Sequence, residues 1–425
     1  MTKEAAVAAA ATMAAEAVAA AAATTLLPGL PDEIVVWEIL VRLDPKSILR
    51  SRAVRRDWRC ATTNRRFLQA HHARQPALPI FSSDGHRNIL TFDHRAAAGS
   101  QLHTVARLAL TKPFKLEASS DGLLIISKRE TDGSRPGLSS RALLTICNPV
   151  TRQHASLTRT LKDFNILGMY PHRPTGKYRL LLQGRSFMDS STDRTGCYVL
   201  ELGSDEAPRY IECSNTKLQL AIFHAPVQVR DSLHWYPVCY YPVYRETPFF
   251  QIESKLVIVF DTIAESFRQI CAPLAPPTNF SFIFEMATNF SCIFEMDDML
   301  GFYSCDEAKK IVDIWVLHNY ESEVWDLKYR VDLSIAEIWG KFEGLDGDSY
   351  WDVTAVSVDG DVLLLVKFGQ PQNWLFYVDT DGKLVASFQD LYVGEGRFKQ
   401  TLVRHDFFTS LEGIEGYAVD ASPFV

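Results

Sequence analysis

The sequence predicts an α+β multidomain protein, in which a small helical domain precedes a mostly antiparallel all-β domain that we interpret as an irregular β-propeller. Apolar residues recur at helical spacing between residues 30 and 59. From Pro79 onward, short runs of Val, Ile, Leu, Tyr, Phe and Trp alternate with Asp, Gly, Asn and Pro. The 350 residues from 76 to 425 would allow about seven blades of roughly 40–50 residues. A large double-sheet sandwich is the alternative, because no strict repeat is visible.

Composition divides the chain into three segments. Residues 1–27 are an alanine-rich tail without large side chains to bury, and we expect this tail to be disordered. Residues 28–75 carry the helical domain, and the prolines at 76 and 79 break its pattern. Residues 76–425 form the predicted β-rich domain.

The first predicted helix begins at Pro31, whose missing amide hydrogen suits the first turn of a helix. Asp32 and Glu33 lie beside the positive end of the helix dipole. An apolar stripe follows as far as Arg42, and this side of the helix is predicted to be buried. The stripe consists of Ile34, Val35, Ile39, Leu40 and Leu43.

A second helix is predicted to open directly afterwards, with Asp44 as its N-cap and Pro45 in its first position. Trp58 is expected to pack over Val54, four residues earlier in the chain. The residues expected to face inward are Ile48, Leu49, Ala53 and Val54.

One further short helix is expected from Asn64 to about Arg74, with His71 and His72 exposed near its end. A unit of roughly 45 residues buries little of its own surface. We therefore expect exposed apolar side chains of this unit to need a partner.

Residues 30–59 resemble the F-box. The resemblance rests on Leu30-Pro31-Asp32-Glu33, Glu38-Ile39-Leu40, Arg42-Leu43, Pro45-Lys46-Ser47-Ile48-Leu49-Arg50, Val54 and Trp58-Arg59. Two residues depart from the usual pattern. Trp37 makes the first helix one residue longer, which could rotate part of the stripe, and Arg55 stands where the family often has cysteine.

The resemblance implies that the helical domain binds a Skp-type linker protein, which joins it to a cullin in SCF-type ubiquitin ligases. The alternative is a small helical domain that packs on its own chain. The residues predicted to bind the linker are Leu30, Pro31, Ile34, Ile39, Leu40, Leu43, Pro45, Leu49, Val54 and Trp58.

Turn residues precede several predicted strands of the β-rich domain. Asp121-Gly122 and Asp231-Ser232 each lead into an apolar run. The residues from Trp325 to Leu333 alternate apolar and charged side chains, which is the pattern of a strand with one wet face. A weak repeat of a strand, an Asn or Asp and a turn occurs near Asn148, Asp261 and Asp379, and suggests repeated hairpins.

The β-rich domain also resembles the F-box-associated domains of plant F-box proteins. The resemblance rests on residues 120–124, 147–152 and 168–181. It implies a target-binding domain of kelch-like architecture, with the target unspecified.

The net charge of −7 hides an asymmetry, because residues 30–75 carry ten Lys or Arg against five Asp or Glu. The arginines of this segment lack the interleaved aromatic residues that would stack on bases, so we predict no nucleic-acid binding. The eight cysteines are scattered without metal-ligand spacing, which favours a reducing compartment. No strongly apolar run long enough to cross a membrane and no secretory signal are seen, so we expect a cytoplasmic or nuclear protein.

Residues 278–287 and 288–297 are near-copies in tandem. The simpler interpretation is an extra hairpin or surface loop, since lengthening a loop costs little. The alternative is a modified target-binding edge, because both copies place aromatic residues on a potential strand.

Enzyme chemistry finds little support in the sequence. Nucleotide-binding, hydrolase and zinc-protease motifs do not occur, and no cofactor is predicted. Asp297-Asp298, 346–348 and 359–361 are most simply explained as turns. The aromatic residues Trp235, Tyr236, Tyr240, Tyr241 and Trp351 are assigned to the core rather than to a site.

The sequence therefore favours a non-catalytic substrate-recognition adaptor of an SCF-type ubiquitin ligase. Its F-box would bind the Skp-type linker and its β domain an unknown target protein. The alternatives are a scaffold that does not lead to degradation, a ligand- or glycan-binding propeller and, with least support, a propeller enzyme.

Overall fold

A computed structural model describes residues 30–83, 88–96, 101–108, 114–129, 142–157, 161, 163–184, 196–213, 225–236, 256–273, 289–306, 309–333, 338, 351–358, 360–368, 374–414 and 423–424. The alanine-rich segment 1–27 and the first tandem copy, 278–287, lie outside these residues. The chain divides after Gln75 into two compact units. No helix in the described part is long and apolar enough to span a membrane.

The N-terminal unit is helical. Its elements are α1 (Asp32–Ile34), a π-helical turn (Val35–Ile39), a 3₁₀ turn (Leu40–Arg42), α2 (Pro45–Ser51), α3 (Arg56–Thr63) and α4 (Arg65–Arg74). Its innermost side chains are Val41, Ile48 and Phe67, which are at most 1% exposed.

The first helix takes up one extra residue in its π-helical turn. The backbone N–H of Leu40 reaches the carbonyl of Val35, five residues earlier, as a π turn requires. Trp37 lies within this turn, and its ring centroid is 5.8 Å from that of Phe67 on α4. The insertion noticed in the sequence is thus absorbed without breaking the helix.

The predicted inward face of these helices is wrong in part. The buried residues of the first helix recur at five-residue spacing across the π turn, whereas the prediction used the three- and four-residue spacing of an α-helix. The buried residues are Val35, Val36, Leu40 and Val41. The residues predicted to face inward but exposed in the structure are Ile34, Ile39, Leu49, Ala53 and Val54.

Two further local predictions are also corrected. Residues 52–54 form a turn, so Val54 and Trp58 do not share a helix, and the guanidinium of Arg55 lies 5.8 Å from the Trp58 ring centroid. Of the two histidines predicted to be exposed, His72 is half-buried and His71 is fully buried, with its Nε2 bonded to the carbonyl of Leu43 at 2.8 Å.

The second unit is a β-propeller of six four-stranded antiparallel sheets. Blade 1 contains β24 (Tyr392–Lys399), β1 (Ala77–Ser83), β2 (Asn88–Phe92) and β3 (Leu102–Arg107). Blade 2 contains β4 (Phe114–Ser120), β5 (Leu123–Arg129), β6 (Ala142–Asn148) and β7 (Gln153–Ser156). Blade 3 contains β8 (Phe164–His172), β9 (Lys177–Gly184), β10 (Cys197–Glu201) and β11 (Arg209–Ile211).

The remaining sheets repeat this plan. Blade 4 contains β12 (Val227–Val229), β13 (Ser232–Trp235), β14 (Leu256–Asp261) and β15 (Ser266–Cys271). Blade 5 contains β16 (Asn289–Met296), β17 (Met299–Asp306), β18 (Ile311–Asn319) and β19 (Val324–Asp332). Blade 6 contains β20 (Trp351–Val358), β21 (Asp361–Phe368), β22 (Trp374–Asp379) and β23 (Leu384–Gln389).

This architecture confirms the propeller and removes the sandwich alternative. The described residues form six blades rather than about seven, because up to 20 residues of sequence separate consecutive strands, as between Trp235 and Leu256. Blade 1 is built from both ends of the unit: β24 pairs antiparallel with β1, with Ala77 opposite Lys399. The ring is therefore closed by hydrogen bonds between distant parts of the chain.

The weak sequence repeat marks the end of the third strand in alternate blades. The side chains of Asn148, Asp261 and Asp379 accept hydrogen bonds from backbone N–H groups two to four residues later, at 2.8–3.2 Å. These residues lie in blades 2, 4 and 6, which explains their wide separation in sequence. Asp93 in blade 1 and Asn319 in blade 5 make the same kind of turn.

The segment after β24, residues 400–414 with 423–424, is called the C-terminal strap. It crosses the turns of blade 2, where Asn148 Nδ2 donates to the carbonyls of Thr401 and Val403 at 3.4 and 3.2 Å. It then forms α5 (Phe407–Ile414), which contacts β7 and adds Phe408 and Leu411 to the core of blades 2 and 3. Phe424 finally makes a β-bridge to Leu108, just after β3.

The three described aromatic residues assigned to the core are buried: Trp235, Tyr236 and Trp351 are 2%, 7% and 3% exposed. Tyr240 and Tyr241 lie outside the described residues. The predicted half-buried strand is β19, and its buried face includes Val331. Leu327 is 51% exposed, next to a register shift in the pairing of β18 with β19.

The second tandem copy supplies β16, the innermost strand of blade 5. It pairs with β17 from Asn289 to Met296. This copy is therefore a core strand at the centre of the propeller rather than the binding edge offered as the alternative.

Candidate functional site

Five large apolar side chains of the helical unit are more than 40% exposed although the unit has its own core. They are Leu30, Ile34, Ile39, Leu49 and Val54, at 44%, 42%, 42%, 46% and 59%, and we call them the exposed apolar set. Leaving such side chains in water is unfavourable by roughly 25 cal/mol per Å² of apolar surface. A partner that covers the set would recover this energy.

The structure places the ten predicted linker-binding residues in three environments. Six are exposed: the exposed apolar set and Pro31. Leu43 and Trp58 are half-buried. Leu40 and Pro45 are buried and contribute to the folded unit itself.

The chain that carries this set is held by local polar contacts. The Asp44 carboxylate caps α2 by accepting the backbone N–H of Ser47 at 3.0 Å. Burial alone would raise the pKa of Asp44, but the hydrogen bonds from Ser47 outweigh it and the pKa is lowered. On the other side, Gln75 Nε2 donates to the Leu43 carbonyl at 3.2 Å, and this carbonyl also bonds to His71.

Arginines tie the segments of the unit together. Arg55 bonds Asp32 at 2.8 Å, which joins the start of α1 to the turn before α3. Arg52 Nε donates to the Thr62 hydroxyl at 3.2 Å, which holds α2 against α3. Arg55, the departure from the family pattern, thus has a structural partner of its own.

Sequence reasoning missed two buried residues of α4 that pack inside the helical unit. Phe67 and His71 on α4 are buried one helical turn apart, and their rings stack with centroids 6.1 Å apart. The signal was their four-residue spacing, which indicates one face of a helix. It was obscured by the polar composition of the segment.

The two ends of the propeller differ. At one end, the turn face, the first and second strands of blades 2 to 6 are joined by short turns such as 121–122, 230–231 and 297–298. The opposite end is the loop face. The loop face carries the ends of β5, β9, β11, β13, β15 and β19, each of which is separated from the next strand by at least twelve residues of sequence.

Polar contacts bridge inner strands of non-adjacent blades and so pass through the central channel. Ser120 Oγ on β4 donates to Gln228 Oε1 on β12 at 3.2 Å. Arg397 on β24 pairs with Glu295 on β16 and donates to the carbonyls of Ala77 and Ser357. Burial lowers the pKa of Arg397 to about 10. The guanidinium of Arg397 already donates to groups within the chain, so its role is to hold the inner strands together.

A second buried ionic cluster joins blades 3 and 4. The Glu265 carboxylate, 8% exposed, accepts hydrogen bonds from the Tyr170 hydroxyl and Arg179, both at 2.8 Å. Burial would raise the pKa of Glu265, but these hydrogen bonds lower it. The carboxylate is therefore held charged and paired, unlike a general acid. Among the described residues, no group of three or more His, Cys, Asp or Glu could hold a metal ion.

Comparisons with known proteins agree on one family. The family model described as the F-box associated β-propeller domain matches residues 78–407. A putative F-box protein of Arabidopsis thaliana is 24% identical over 342 residues, which cover 77% of this chain and 76% of the relative. A putative F-box/kelch-repeat protein of the same plant is 23% identical over 346 residues, which cover 75% and 74% of the two chains.

Another F-box protein of Arabidopsis thaliana is 26% identical over 380 residues, covering 83% of this chain and 73% of the relative. Among solved structures, a chain of a nidogen–laminin complex is similar with a TM-score of 0.36 and 11% identity, over 74% of this chain and 96% of that chain.

Proposed function

Because the chain belongs to the family of F-box proteins with an F-box associated β-propeller domain, we propose that it is a substrate-recognition adaptor of an SCF-type ubiquitin ligase. Its helical unit binds a Skp-type linker, which connects it to a cullin, and its propeller binds a target protein. Holding the target close raises the effective concentration of its lysines near the ubiquitin-conjugating enzyme. The chain itself makes and breaks no covalent bond.

The exposed apolar set carries this proposal. It lies on the segment that resembles the F-box, and it stays exposed although the unit buries Val41, Ile48 and Phe67. Such side chains match the anchors of a protein interface, where desolvated apolar residues near the centre supply much of the binding energy. The names of the similar Arabidopsis proteins refer to the F-box and to no enzyme activity.

We propose that the target is bound on the loop face. Long connections carried by a rigid scaffold are common binding elements, because they vary without disturbing the core. A photo-reactive residue at Lys115, near the loop-face end of β4, should cross-link the target. The same residue at Gly176, which lies in a turn on the turn face with open space around it, should not.

The proposed compartment is the cytoplasm or the nucleus. The linker and cullin partners of such ligases act there, and the proposal includes neither nucleic acid nor membrane as a partner. Imaging of the full-length chain with a fluorescent tag tests this point, and retention in a secretory compartment would contradict it.

The decisive experiment measures binding of a purified Skp-type linker to the full-length chain. The double variant Ile39→Asp, Leu49→Asp should bind at least about 30-fold more weakly, because two apolar anchors of about 1 kcal/mol or more each are lost. Both residues are more than 40% exposed, so the unit should stay folded.

The matched control is Val324→Asp, Leu327→Asp on β19, where the two side chains are 45% and 51% exposed. This variant should bind the linker like the unchanged chain. Equal linker binding by both double variants, or no binding by the unchanged chain, would contradict the adaptor role. Linker binding without target ubiquitination would instead favour a scaffold.

A further inference from the structure

The tandem repeat offers two candidates for one strand. Residues 278–287 and 288–297 differ at two of ten positions, Phe282 against Cys292 and Ala287 against Asp297. The second copy occupies β16 at the centre of blade 5. A strand sequence that is duplicated directly upstream can compete for the same place in the sheet.

The main contacts of β16 use residues that both copies share. Ile293, Phe294 and Met296 are at most 6% exposed, and the Phe294 ring covers Gly301 on β17. Glu295 pairs with Arg397 across the channel. The equivalent residues ten positions earlier are identical: Ile283, Phe284, Met286 and Glu285.

Two features favour the second copy in β16. Cys292 is half-buried opposite Tyr303, where the phenylalanine of the first copy would need more space. Asp297 and Asp298 have φ of 51° and 58° and close the two-residue turn to β17. Only the second copy leads directly into this turn, because residues 287–298 would all lie between the first copy and β17.

We propose that β16 exists in two registers, occupied either by residues 289–296 or by residues 279–286. The exchange keeps the apolar contacts and the Arg397 ion pair, since the shared residues supply both. It shortens the connection after β15 by ten residues on the loop face. It lengthens the β16–β17 turn by the same ten residues on the turn face.

The two changes in loop length partly offset each other, because closure entropy varies only with the logarithm of loop length. Resting on the proposed function, the inference is that the exchange regulates the target site. It moves a ten-residue segment from the proposed target-binding face to the opposite face. The propeller would then have two states that differ in the length of the connection on the proposed target-binding face.

The test places an aspartate in each copy of the full-length chain. Ile293→Asp buries a charge in β16, and the chain should respond by using the first copy, so that cooperative thermal unfolding is retained. The double variant Ile283→Asp, Ile293→Asp has no intact copy. Its ratio of folded to unfolded protein should fall by at least a further hundredfold, since an unpaired buried charge is strongly destabilising. The matched single variant Ile283→Asp should leave stability unchanged.

Equal destabilisation by Ile293→Asp and by the double variant would overturn the exchange. The readout is folding alone and involves neither linker nor target. Failure here therefore leaves the adaptor role intact, and failure of linker binding leaves the exchange intact.

A disulfide trap gives a second, independent measurement should position 293 tolerate aspartate. Ser291 pairs directly with Ser304 on β17, with the two hydroxyls 3.1 Å apart. Directly paired residues on antiparallel strands have Cα separations that suit a disulfide. With oxidised glutathione, Ser291→Cys, Ser304→Cys should cross-link in the observed register and Ser281→Cys, Ser304→Cys in the exchanged one.

The off-register pair Thr278→Cys, Ser304→Cys is the control and should remain uncross-linked. Cleavage after glutamates separates positions 281, 291 and 304 into different peptides, since Glu285 and Glu295 lie between them. The map is compared with that of the chain without engineered cysteines. A 281–304 link no more abundant than the 278–304 control would refute the two-register proposal.

Discussion

His234 is a fully buried histidine at the contact of blades 4 and 5, and its ring is fixed by two partners. Its Nδ1–H donates to the Val227 carbonyl at 3.2 Å, and its Nε2 accepts from the Tyr320 hydroxyl at 2.9 Å. Both contacts suit a neutral ring. Burial lowers the pKa of His234 to about 4, despite the favourable contact with the carbonyl.

This residue predicts a loss of stability in mild acid. Below a pH of about 6.5, the unfolded chain protonates His234 while the folded chain does not, so the unfolded state binds more protons. The free energy of unfolding should therefore fall as the pH drops from 7 towards 4. At pH 5, the loss should be about 2 kcal/mol from this residue. Denaturant titrations at pH 7 and pH 5 measure the change.

The control for this prediction is His234→Gln, which removes the titrating group but can still donate and accept hydrogen bonds. Its pH dependence between 7 and 5 should be flatter by about the same amount. A variant with an unchanged slope would assign the acid sensitivity to other groups.

Neighbouring residues show how far sequence reasoning reaches at this scale. Ile48 and Leu49 were both predicted to face inward, yet Ile48 has no exposed surface and Leu49 is 46% exposed. Both are apolar and helical, so the sequence alone could not separate a core residue from a binding residue. The missing information was the packing of α2 in the folded unit, which contacts α3 and buries only Ile48 of the two.

At the scale of the element, two turn glycines that both have positive φ differ in their surroundings. Gly122 has φ of 84°, and a Cβ atom there would lie 2.3 Å from the carbonyl oxygen of Lys399. Gly176 has φ of 68° and nothing within 4 Å of the same position. The first turn touches β24, whereas the second faces open space.

Alanine substitution should therefore affect the two turns unequally. Gly176→Ala should cost about 1–2 kcal/mol, the price of a left-handed conformation for a residue with a side chain. Gly122→Ala should cost more, about 3 kcal/mol or above, because backbone must also move at the β24 contact. Chemical denaturation of both variants tests the difference, and equal costs would show that the backbone at the end of β24 moves aside without a loss of stability.

Turn chemistry was the best-predicted class of element. Asp121-Gly122 and the turn after Asn148 were recognised because Asp, Asn and Gly have specific backbone roles. The π-helical turn at Trp37 was not predicted, since its cause is a one-residue mismatch between the first helix and the helices around it. Local sequence shows the mismatch but not how the helix absorbs it.

For the whole molecule, β24 completes the ring by pairing with β1. Deleting residues 392–425 removes β24 and should abolish cooperative unfolding of the propeller, because β1 and β4 both lose the inner strand that they contact. Deleting residues 406–425 keeps β24 but removes Phe408 and Leu411 from the core. This shorter deletion should lower the melting temperature while leaving the transition cooperative.

Calorimetry of both truncated chains checks this prediction, and deletion of residues 1–27 serves as a control of comparable length. The control should melt like the unchanged chain, since the helical unit begins after it. Cooperative melting without residues 392–425 would show that five blades and an incomplete sixth suffice.

The propeller itself was predictable from many short strands and turn signals, whereas its blade number was not. The number of blades depends on how much chain lies in connections, and segments such as 236–255 carry no periodic pattern. The closing partner of β1 was also beyond the sequence, because its pairing with β24 spans more than 300 residues and is specified by the completed ring.

The position of β24 in the sequence also determines when blade 1 can be completed during translation. A ribosome that has made β1, β2 and β3 has produced three quarters of the first blade, but the fourth strand is still hundreds of residues away. Throughout that interval, the nascent chain presents the open edge of β1. During this interval, the nascent chain would need a chaperone that shields the edge of β1. A premature stop codon before residue 392 would leave this edge permanently unpaired and mark the product for quality control.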